Sequence, residues 1–399
     1  MHSKETVKLA EGDCTGCSAC MVACPYEAIV MKENKRGFIA YEIGDSCVGC
    51  RKCEFVCPVL NKKSTQNPPL SDSRVVYAFA SNEEDRMASS SGGIFYLLAK
   101  EVLKAHGMVC GCVWDDCLVA RHILANNLSD VDRMRSSKYV QSDMGNCFAE
   151  IREALRSRQV LFSGTPCQVA GLRSLVGDCD NLLTCSFVCG GAPSPRIWQD
   201  YVQAVSQKMG SNIMSVNMRS KDTNWLIPEL KIVFEDGRVH REVLLNQNHY
   251  GVAFGSGLIT MDSCTHCRFR GDALFADVVV SDHWGISREM LSSSQNKGAS
   301  ALLVRTQKGE KLYDLIEKNI VAIMGSLEDM KASHKVMCLN SDGGEGRAAF
   351  IASDEGDIVK KIEGALGKKW AKKNRIVQVL NAMRLYIPIL TLRWWIRAK

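Results

Sequence analysis

The beginning of the chain lacks a long apolar run. Residues Met1 to Asp13 are polar and charged, so we expect no secretory signal peptide before the first motif. The 19 cysteines of this 399-residue chain are therefore not expected to form the disulfide framework of a small secreted protein. We expect a reducing compartment, either the cytoplasm or the inner face of the membrane. At 46% hydrophobic, the chain is long enough for two or three domains with cores of their own.

The chain also lacks a broad excess of positive charge. Its net charge is +6, but the 40 residues from Lys360 onward contain eleven Lys and Arg against the single acid Glu363. The preceding 359 residues are therefore slightly acidic, and the chain ends in a basic tail. We predict no nucleic-acid partner, because the charge is confined to one terminal piece and no nucleic-acid-reading motif accompanies it.

A cysteine motif is present twice near the N-terminus. The spacing Cys-x2-Cys-x2-Cys-x3-Cys-Pro runs from Cys14 to Pro25 and again from Cys47 to Pro58. Three cysteines in one tight turn can hold three corners of an iron–sulfur cube, and the fourth reaches across to the other cube. The alternative is zinc, but zinc ribbons use two CxxC pairs rather than a triple followed by Cys-Pro.

This spacing predicts two 4Fe–4S clusters with exchanged fourth ligands. The first cysteine set is Cys14, Cys17, Cys20 and Cys57. The second cysteine set is Cys24, Cys47, Cys50 and Cys53. Over roughly its first 60 residues the chain resembles bacterial two-cluster ferredoxins.

Alternating strand and helix patterns follow a polar linker at Asn61 to Ser73. They predict an α/β domain with a parallel sheet, interrupted by a more antiparallel insertion that has a turn at Asp236-Gly237. In this domain Ser90, Ser91, Gly92 and Gly93 precede a helical pattern. Serine and glycine at a helix start suit a phosphate, although an ordinary helix cap uses the same residues.

Two further segments carry candidate chemistry. Lys138-Tyr139 could reach a phosphate or the edge of a flavin ring, although an exposed lysine is the ordinary alternative. Cys167 lies just inside a predicted helix N-terminus in Ser163 to Gln168, so we expect a lowered thiol pKa and a role as nucleophile or metal ligand. The third cysteine set is Cys167, Cys189, Cys264 and Cys267. It predicts a third cluster or a zinc site if the strand ends converge; four unrelated core cysteines are the alternative.

Several motifs in fixed order resemble the beta-subunit family of coenzyme F420 hydrogenase and dehydrogenase, in its bacterial branch, with a dicluster ferredoxin domain in front. They are Ser90 to Gly93, Lys138-Tyr139, Gly164 to Gln168, Cys189 to Pro195, Cys264-x2-Cys267, Asp282-x-Trp284-Gly285 and Asn296 to Ser300. The resemblance covers residues from about 74 to 320.

This resemblance implies FAD on the larger domain, beside the iron–sulfur clusters. It implies catalytic roles for Lys138, which would hold phosphate or stabilise reduced flavin, and as a lesser alternative for Cys167. It implies cofactor contacts by Ser90, Ser91, Gly92, Gly93, Lys138, Tyr139, Gly164, Thr165, Pro166, Asp282 and Trp284.

The basic tail has apolar residues at helical spacing, among them Ile376, Leu380, Met383, Ile387 and Leu390. Charges and Pro388 argue against a membrane-spanning helix, which needs about 20 apolar residues. An anionic membrane surface is one predicted partner, and docking on the body or on another protein is the equal alternative.

The predicted fold is thus an α+β two-cluster ferredoxin domain, a larger α/β flavin-binding domain and a basic amphipathic C-terminal helix. The predicted boundaries are 1–63 for the ferredoxin domain, 74–160 and 161–335 for the two parts of the larger domain, and 357–399 for the tail. The predicted function is that of a flavin-dependent iron–sulfur oxidoreductase, with ferredoxin or a similar one-electron carrier as partner. An electron-relay subunit without its own substrate and a redox enzyme of polysaccharide biosynthesis are the alternatives.

Overall fold

The computed structural model describes residues 7–10, 12–61, 68–177, 179–287, 290, 294–339, 343–383 and 385–397. The N-terminal domain pairs two short helices with an antiparallel hairpin. The elements are α1 (Ala19–Ala23), β1 (Ile29–Glu33), β2 (Ile39–Ile43) and α2 (Lys52–Val56). Both helices end at a cysteine with extended backbone, Cys24 and Cys57, because the proline that follows each disfavours the helical conformation of the residue before it.

The larger domain contains an eight-stranded mixed sheet. Its strands are β3 (Arg74–Ala80), β4 (Met108–Trp114), β5 (Ala120–Ala125), β6 (Val160–Gly164), β7 (Leu182–Phe187), β11 (Val278–Asp282), β12 (Ser300–Val304) and β13 (Ile320–Met324). They lie in the order β13-β3-β12-β11-β7-β6-β4-β5. The central strands β11, β7, β6 and β4 are parallel, as predicted. Strands β5, β12, β3 and β13 are joined antiparallel at the two sides, so both predicted parts of the domain contribute to one sheet.

Helices cover both faces of this sheet. The domain's helices are α3 (Glu83–Met87), α4 (Ile94–Lys104), α5 (Leu128–Met134), α6 (Cys147–Ala154), α7 (Pro166–Val176), α8 (Pro195–Met209), α9 (His249–Gly255), α10 (Asp262–Thr265), α11 (Gln307–Ile316), α12 (Leu327–Ser333) and α13 (Gly344–Ala352). On one face α6 and α7 bury Phe148 and Leu172 against Phe162 of β6. On the other, α4 and α11 bury Leu98 and Leu312. Each parallel strand therefore lies between two apolar layers, as its nearly continuous apolar sequence requires.

The predicted antiparallel insertion forms a second sheet of β8 (Ile213–Ser220), β9 (Glu229–Phe234) and β10 (Val239–Val243). The hairpin between β9 and β10 turns at Gly237, whose φ of 82° suits glycine. This sheet packs on α8 and α9 through a core that includes Trp198 and Tyr250.

The tail is a pair of helices rather than the single predicted helix. Helix α14 (Ile358–Ala382) is kinked at Gly367, where φ is 76°, and α15 (Tyr386–Arg397) follows a turn. A glycine with positive φ and a break before Tyr386 interrupt the helical hydrogen-bond ladder, which the apolar periodicity alone does not reveal. The inner side of the tail packs on the small sheet, with Val377 and Tyr386 against Ile227 and Val243.

The ferredoxin domain contacts the larger domain through backbone groups of its hairpin. The Gln141 side chain accepts a hydrogen bond from Ile39 N–H at 2.8 Å and donates one to Ile39 C=O at 2.8 Å. Ser194 Oγ donates to the carbonyl of Gly37 at 2.8 Å. The N-terminal end of α8 and the residues after α5 thereby fix the orientation of the cysteine sets.

A buried carboxylate joins the central strands, and its removal should destabilise the domain. Asp277 accepts hydrogen bonds from Thr184 N–H at 2.8 Å, Thr184 Oγ1 at 2.7 Å and Thr306 Oγ1 at 2.7 Å. Asp277→Ala leaves these buried donors unpaired, and we expect the free energy of unfolding to fall by about 3 kcal/mol. Anaerobic denaturant titration measures the change. The exposed Asp314→Ala serves as the control, and equal effects of the two variants would contradict this role.

Candidate functional site

The eight N-terminal cysteines surround two pockets. The first cysteine set lines one pocket, and the second cysteine set lines another. The structure thus groups these cysteines as their spacing predicts, with Cys57 and Cys24 exchanged between the two motifs. In each set the thiols are arranged around an open pocket and do not converge on one position. In the described part of the chain, no group of three or more His, Cys, Asp or Glu side chains is placed to hold a single metal ion.

Backbone amides and burial determine the chemistry of these thiols. Gly16 N–H donates to Cys14 Sγ at 3.4 Å, and Ala28 N–H donates to Cys24 Sγ at 3.3 Å. Burial raises the pKa of Cys17 to about 12 and that of Cys53 to about 11. Such thiols hold their protons until a bound cation displaces them, and amide hydrogen bonds to the sulfurs help to set the potential of a cluster.

The third cysteine set is brought together by strand order. Cys167 follows β6 and Cys189 follows the neighbouring parallel strand β7, so both lie at the same edge of the sheet. An antiparallel bridge between Pro193 and Thr260 then brings the segment with Cys264 and Cys267 beside them. The proximity of Cys189 and Cys267 contributes to the raised pKa of the Cys264 thiol, after burial, which is the larger cause; the pKa is about 12. The four thiols therefore lie close enough together to interact electrostatically, and the metal site that they would form stays a prediction.

The predicted lowering of the Cys167 pKa is wrong. Cys167 does lie in the first turn of α7, where Thr165 caps the helix together with Gln168. Burial nevertheless raises the pKa of Cys167 well above its ordinary value, and the neighbouring Cys267 raises it further. The hydroxyl of Thr165, 3.1 Å from Cys167 Sγ, opposes this rise without reversing it. Thr165 thus contacts the third cysteine set, and the cofactor contacts of Gly164, Thr165 and Pro166 stay predictions.

The three cysteine sets are neighbours in space. Cys20 of the first set lies close enough to Cys53 of the second for their charges to interact. Cys57 of the first set packs on the same small apolar cluster as Cys167 and Cys267 of the third. That cluster consists of Ala10, Val59, Ala170 and Phe269. The first set therefore lies between the other two.

A cationic cluster lies at the predicted Ser-Ser-Gly-Gly segment. It consists of Arg86, Arg135, Arg219 and Lys221. Burial lowers the pKa of Lys221 to about 7, and the other three cations are close enough to contribute. Among the described residues, the Nε atoms of Arg86, Arg135 and Arg219 are buried and have no hydrogen-bond partner. Buried donors normally have partners, so this cluster has unused capacity for an anion.

The Ser-Ser-Gly-Gly segment is held in place beside this cluster. Ser90 Oγ accepts from Ser137 N–H at 2.8 Å, and Ser91 Oγ donates to Ala299 C=O at 2.6 Å. Lys221 Nζ donates to Ser91 C=O at 2.8 Å. Gly93, with φ of 89°, caps α4. The segment is therefore both a helix cap and one wall of the cationic cluster.

Three other predicted residues border the cluster. Asp282 Oδ1 pairs with Arg219 at 2.9 Å, and Arg219 lies over the ring of Trp284 with its guanidinium carbon 5.1 Å from the centroid. Burial raises the pKa of Tyr139, whose ring stacks on Phe254 at 5.0 Å between centroids. A Cβ added to Gly190, beside Cys189, would lie 3.3 Å from Phe254. Tyr139 and Phe254 therefore connect the cationic cluster with the third cysteine set.

Lys138 has a different position from the predicted one. Its ammonium group donates to the carbonyls of Arg133, Met134, Arg135 and Ser136, between 2.9 and 3.2 Å, at the C-terminal end of α5. Burial lowers its pKa to about 8. The lysine shapes the loop that carries Tyr139, and its contact with a cofactor stays a prediction.

Sequence reasoning missed the cationic cluster and Phe254. The cluster's members come from α3, the end of α5 and the end of β8, and Arg86 and Lys221 are 135 residues apart in the chain. No local spacing could reveal such a cluster. The only signal was the pair Arg219 and Lys221 at the end of a predicted strand.

The fold and the cysteine sets define an iron–sulfur electron-transfer protein with a mixed α/β domain. Comparison with known families agrees. Residues 13–61 match the 4Fe-4S dicluster domain, and residues 157–329 match the family described as the C terminus of the beta subunit of coenzyme F420 hydrogenase/dehydrogenase. The chain therefore combines a region that matches the dicluster 4Fe–4S domain with a region similar to the C terminus of the coenzyme F420 hydrogenase/dehydrogenase beta subunit, and the predicted resemblance is confirmed.

Several characterised proteins are similar to this chain. A subunit of the F(420)H(2) dehydrogenase of Methanosarcina mazei is 23% identical over 347 residues, which are 80% of this chain and 89% of that protein. Coenzyme F420-dependent sulfite reductase of Methanocaldococcus jannaschii is 22% identical over 408 residues, covering 94% of this chain and 59% of that protein. A chain of the F420-reducing [NiFe] hydrogenase complex from Methanosarcina barkeri has a TM-score of 0.49 and 16% identity, covering 72% of this chain and 97% of its own length.

The third cysteine set can be tested by counting iron. If it holds a 4Fe–4S cluster, anaerobically purified protein should contain about twelve iron atoms per chain, and Cys264→Ala should lower this to about eight. Iron and acid-labile sulfide assays measure both. Cys338→Ala, at an exposed cysteine outside the three sets, is the matched control and should leave the count unchanged. About eight iron atoms in the unsubstituted protein would contradict the third cluster.

Proposed function

We propose that this chain is an iron–sulfur flavoprotein that transfers electrons between a one-electron carrier and a hydride carrier. The eight cysteines of the first two sets would hold two 4Fe–4S clusters, the third set would hold another, and the cationic cluster would hold the phosphates of FAD. The observation that carries the proposal is the contact of Tyr139 with Phe254, which connects the cationic cluster to the third cysteine set.

The residues present fit these groups. Three buried guanidinium Nε atoms without a partner among the described residues suit the oxygen atoms of a pyrophosphate. Asp282 pairs with Arg219 and Asp132 pairs with Arg135 at 2.9 Å, so a bound anion would compensate the charge of Arg86 and Lys221. For the third cysteine set, Gly191 N–H donates to Cys189 Sγ at 3.4 Å and Phe269 N–H donates to Cys267 Sγ at 3.5 Å. Such hydrogen bonds stabilise bound thiolates.

The protein's own residues would position and insulate these groups. A flavin supplies the exchange between hydride transfer and single-electron transfer, and 4Fe–4S clusters supply single-electron carriers. The stacked rings of Tyr139 and Phe254 would limit water between the two sites. The ion pair of Arg219 and Asp282 keeps one guanidinium fixed beside Trp284. Ser91 and Lys221 hold the glycine segment against the cluster.

The second cysteine set is the proposed contact for the one-electron partner. Cys50 is exposed, and the pocket of this set is bordered by Tyr26 and Val48, which are also largely exposed. Phe55, on α2, is 72% exposed. Exposed aromatic and aliphatic side chains around a redox site suit a transient protein contact. A ferredoxin or similar carrier is the proposed partner, in the reducing cytoplasm that the nineteen free thiols favour.

The hydride carrier is proposed from the relatives. Two of them are named for coenzyme F420, so this deazaflavin is the first substrate to test. A relay subunit without a substrate of its own is the alternative that the same experiment separates. None of the similar proteins named above is named for polysaccharide synthesis, so that alternative is not proposed. The proposed contact between the tail and an anionic membrane surface is independent of electron transfer.

Turnover distinguishes an enzyme from a relay. We expect the anaerobically purified protein to oxidise reduced coenzyme F420 or NAD(P)H with methyl viologen as acceptor, two viologens per hydride. Cys264→Ala should retain reduction of the bound flavin by the hydride carrier but lose most viologen reduction. Stopped-flow absorbance resolves the two steps. Flavin bleaching by reduced ferredoxin, without turnover of either hydride carrier, would leave only the relay.

The cationic cluster can be tested through flavin affinity. Arg86→Gln removes one buried cation with an unpartnered Nε, and we expect FAD affinity to fall about tenfold or more. Fluorescence titration of flavin-depleted protein measures the affinity. Arg156→Gln, at an exposed arginine on the surface of the same domain, is the control. Unchanged affinity in Arg86→Gln, with the iron content retained, would place the flavin elsewhere.

A further inference from the structure

Among the tail side chains that the structure describes, those that contact the small sheet lie on one side of the helices. On that side Val377 and Tyr386 are buried, and Leu380, Ile387 and Leu390 pack against them. Asn224 of the β8–β9 loop also donates to Thr391 Oγ1 at 3.0 Å. The orientation of α14 and α15 is therefore fixed by the small sheet, and the opposite sides of both helices face away from the body.

These outward sides are apolar. On α14, Ile376, Val379 and Met383 are spaced by three and four residues and are 56%, 59% and 60% exposed. Leu385, just before α15, and Ile389 and Leu392 on it repeat the spacing, and Leu392 is 62% exposed. Six large apolar side chains thus form an outer apolar stripe on two adjacent helices. Contiguous exposed patches of this kind mark interaction surfaces.

Positive charge continues the outer apolar stripe along α14. The exposed Lys368 and Lys372 precede Ile376 in steps of four, and the exposed Arg375 precedes Val379 by four. Residues four apart share one side of a helix, so these cations lie in the same rows as the apolar side chains. The one acid after Lys360, Glu363, is 2.9 Å from His249.

We infer that the outer apolar stripe and its basic rows bind the surface of an anionic lipid bilayer, with both helices lying in the plane of the interface. Apolar side chains would enter the boundary between headgroups and acyl chains, and lysine and arginine would contact anionic headgroups. Charge favours this occupant over a second copy of the chain, because two copies of this face would bring their basic rows together. No helix in the described residues combines the length and apolar content that crossing a bilayer requires.

Vesicle flotation with the full-length, anaerobically purified protein tests the inference. We expect the protein to float with vesicles of equal parts phosphatidylcholine and phosphatidylglycerol, but not with phosphatidylcholine alone. The triple variant Ile376→Ser/Val379→Ser/Leu392→Ser should lose binding. Lys368→Gln/Lys372→Gln should weaken it about tenfold, with a smaller dependence on salt concentration.

Matched controls separate this surface from general effects. Met214→Ser/Met324→Ser changes exposed apolar residues on strands β8 and β13, outside the tail. Lys318→Gln/Lys331→Gln removes exposed charges that also lie outside the tail. Both should float like the unsubstituted protein, and iron content reports correct folding in every variant. The inference is overturned if folded protein does not bind the anionic vesicles, or if the tail variants bind as well as the controls. A dimer in light scattering that the triple variant converts to monomer, without lipid binding, would assign the stripe to a second copy.

Discussion

The close contact between helix α7 and the first cysteine set is the constraint on which the relative positions of the first and third cysteine sets depend. A Cβ added to Gly171 of α7 would lie 2.7 Å from Cys17 Sγ, so glycine is required for this approach. Ala170, the next residue back, belongs to the apolar cluster shared by Cys57, Cys167 and Cys267. One helix thus carries a cysteine of the third set in its first turn and receives the first set on its side. Its N-terminal capping box fixes both positions at once.

Buried positive charge is the second constraint, and burial affects it differently from the cysteine thiols. Thiols can be buried neutral, because they keep their protons when no metal is bound. Guanidinium groups cannot lose theirs, so burial of Arg86, Arg135 and Arg219 costs free energy that two carboxylates offset only in part. Asp282 pairs with Arg219, and Asp132 pairs with Arg135. The cysteine sets can therefore be buried with or without bound metal, whereas the cationic cluster is stabilised by a bound anion. An anionic cofactor would stabilise the fold as well as react there.

The sequence predicted those parts that depend on local spacing. The grouping of Cys24 with the second set follows from the repeated motif, and the meeting of Cys167 with Cys189 follows from parallel strands. Helix α7 and the hairpin at Gly237 follow from capping and turn residues. Each of these predictions rests on residues that are close together or on a general rule of sheet topology.

Other features could not be predicted, because long-range packing decides them. The Cys167 pKa depends on burial by segments a hundred residues away, which outweighs the helix N-terminus. Lys138 matched a cofactor-binding pattern, but its ammonium group caps α5. The cationic cluster is assembled from separate elements. The tail shows helical periodicity throughout. Its kink at Gly367 and its division into two helices before Tyr386 therefore depend on local backbone conformation and on the packing surface that the small sheet provides.

The junction between the two domains recognises the main chain of the ferredoxin hairpin. Gln141 imitates a neighbouring peptide group, since its amide makes both hydrogen bonds that a paired strand would make with Ile39. Across the junction, Ser194 Oγ likewise donates to carbonyl oxygens, those of Arg36 and Gly37. Main-chain groups are the same whatever side chains they carry. Ile39 can therefore be replaced without loss of these hydrogen bonds. Gly37 cannot vary as freely, because a Cβ there would lie 2.5 Å from Cβ of Arg196, and Glu33 and Arg36 of the hairpin also form ion pairs with Arg196 and Asp262. Variation at Ile39 would thus leave the spacing between the cysteine sets of the two domains unchanged.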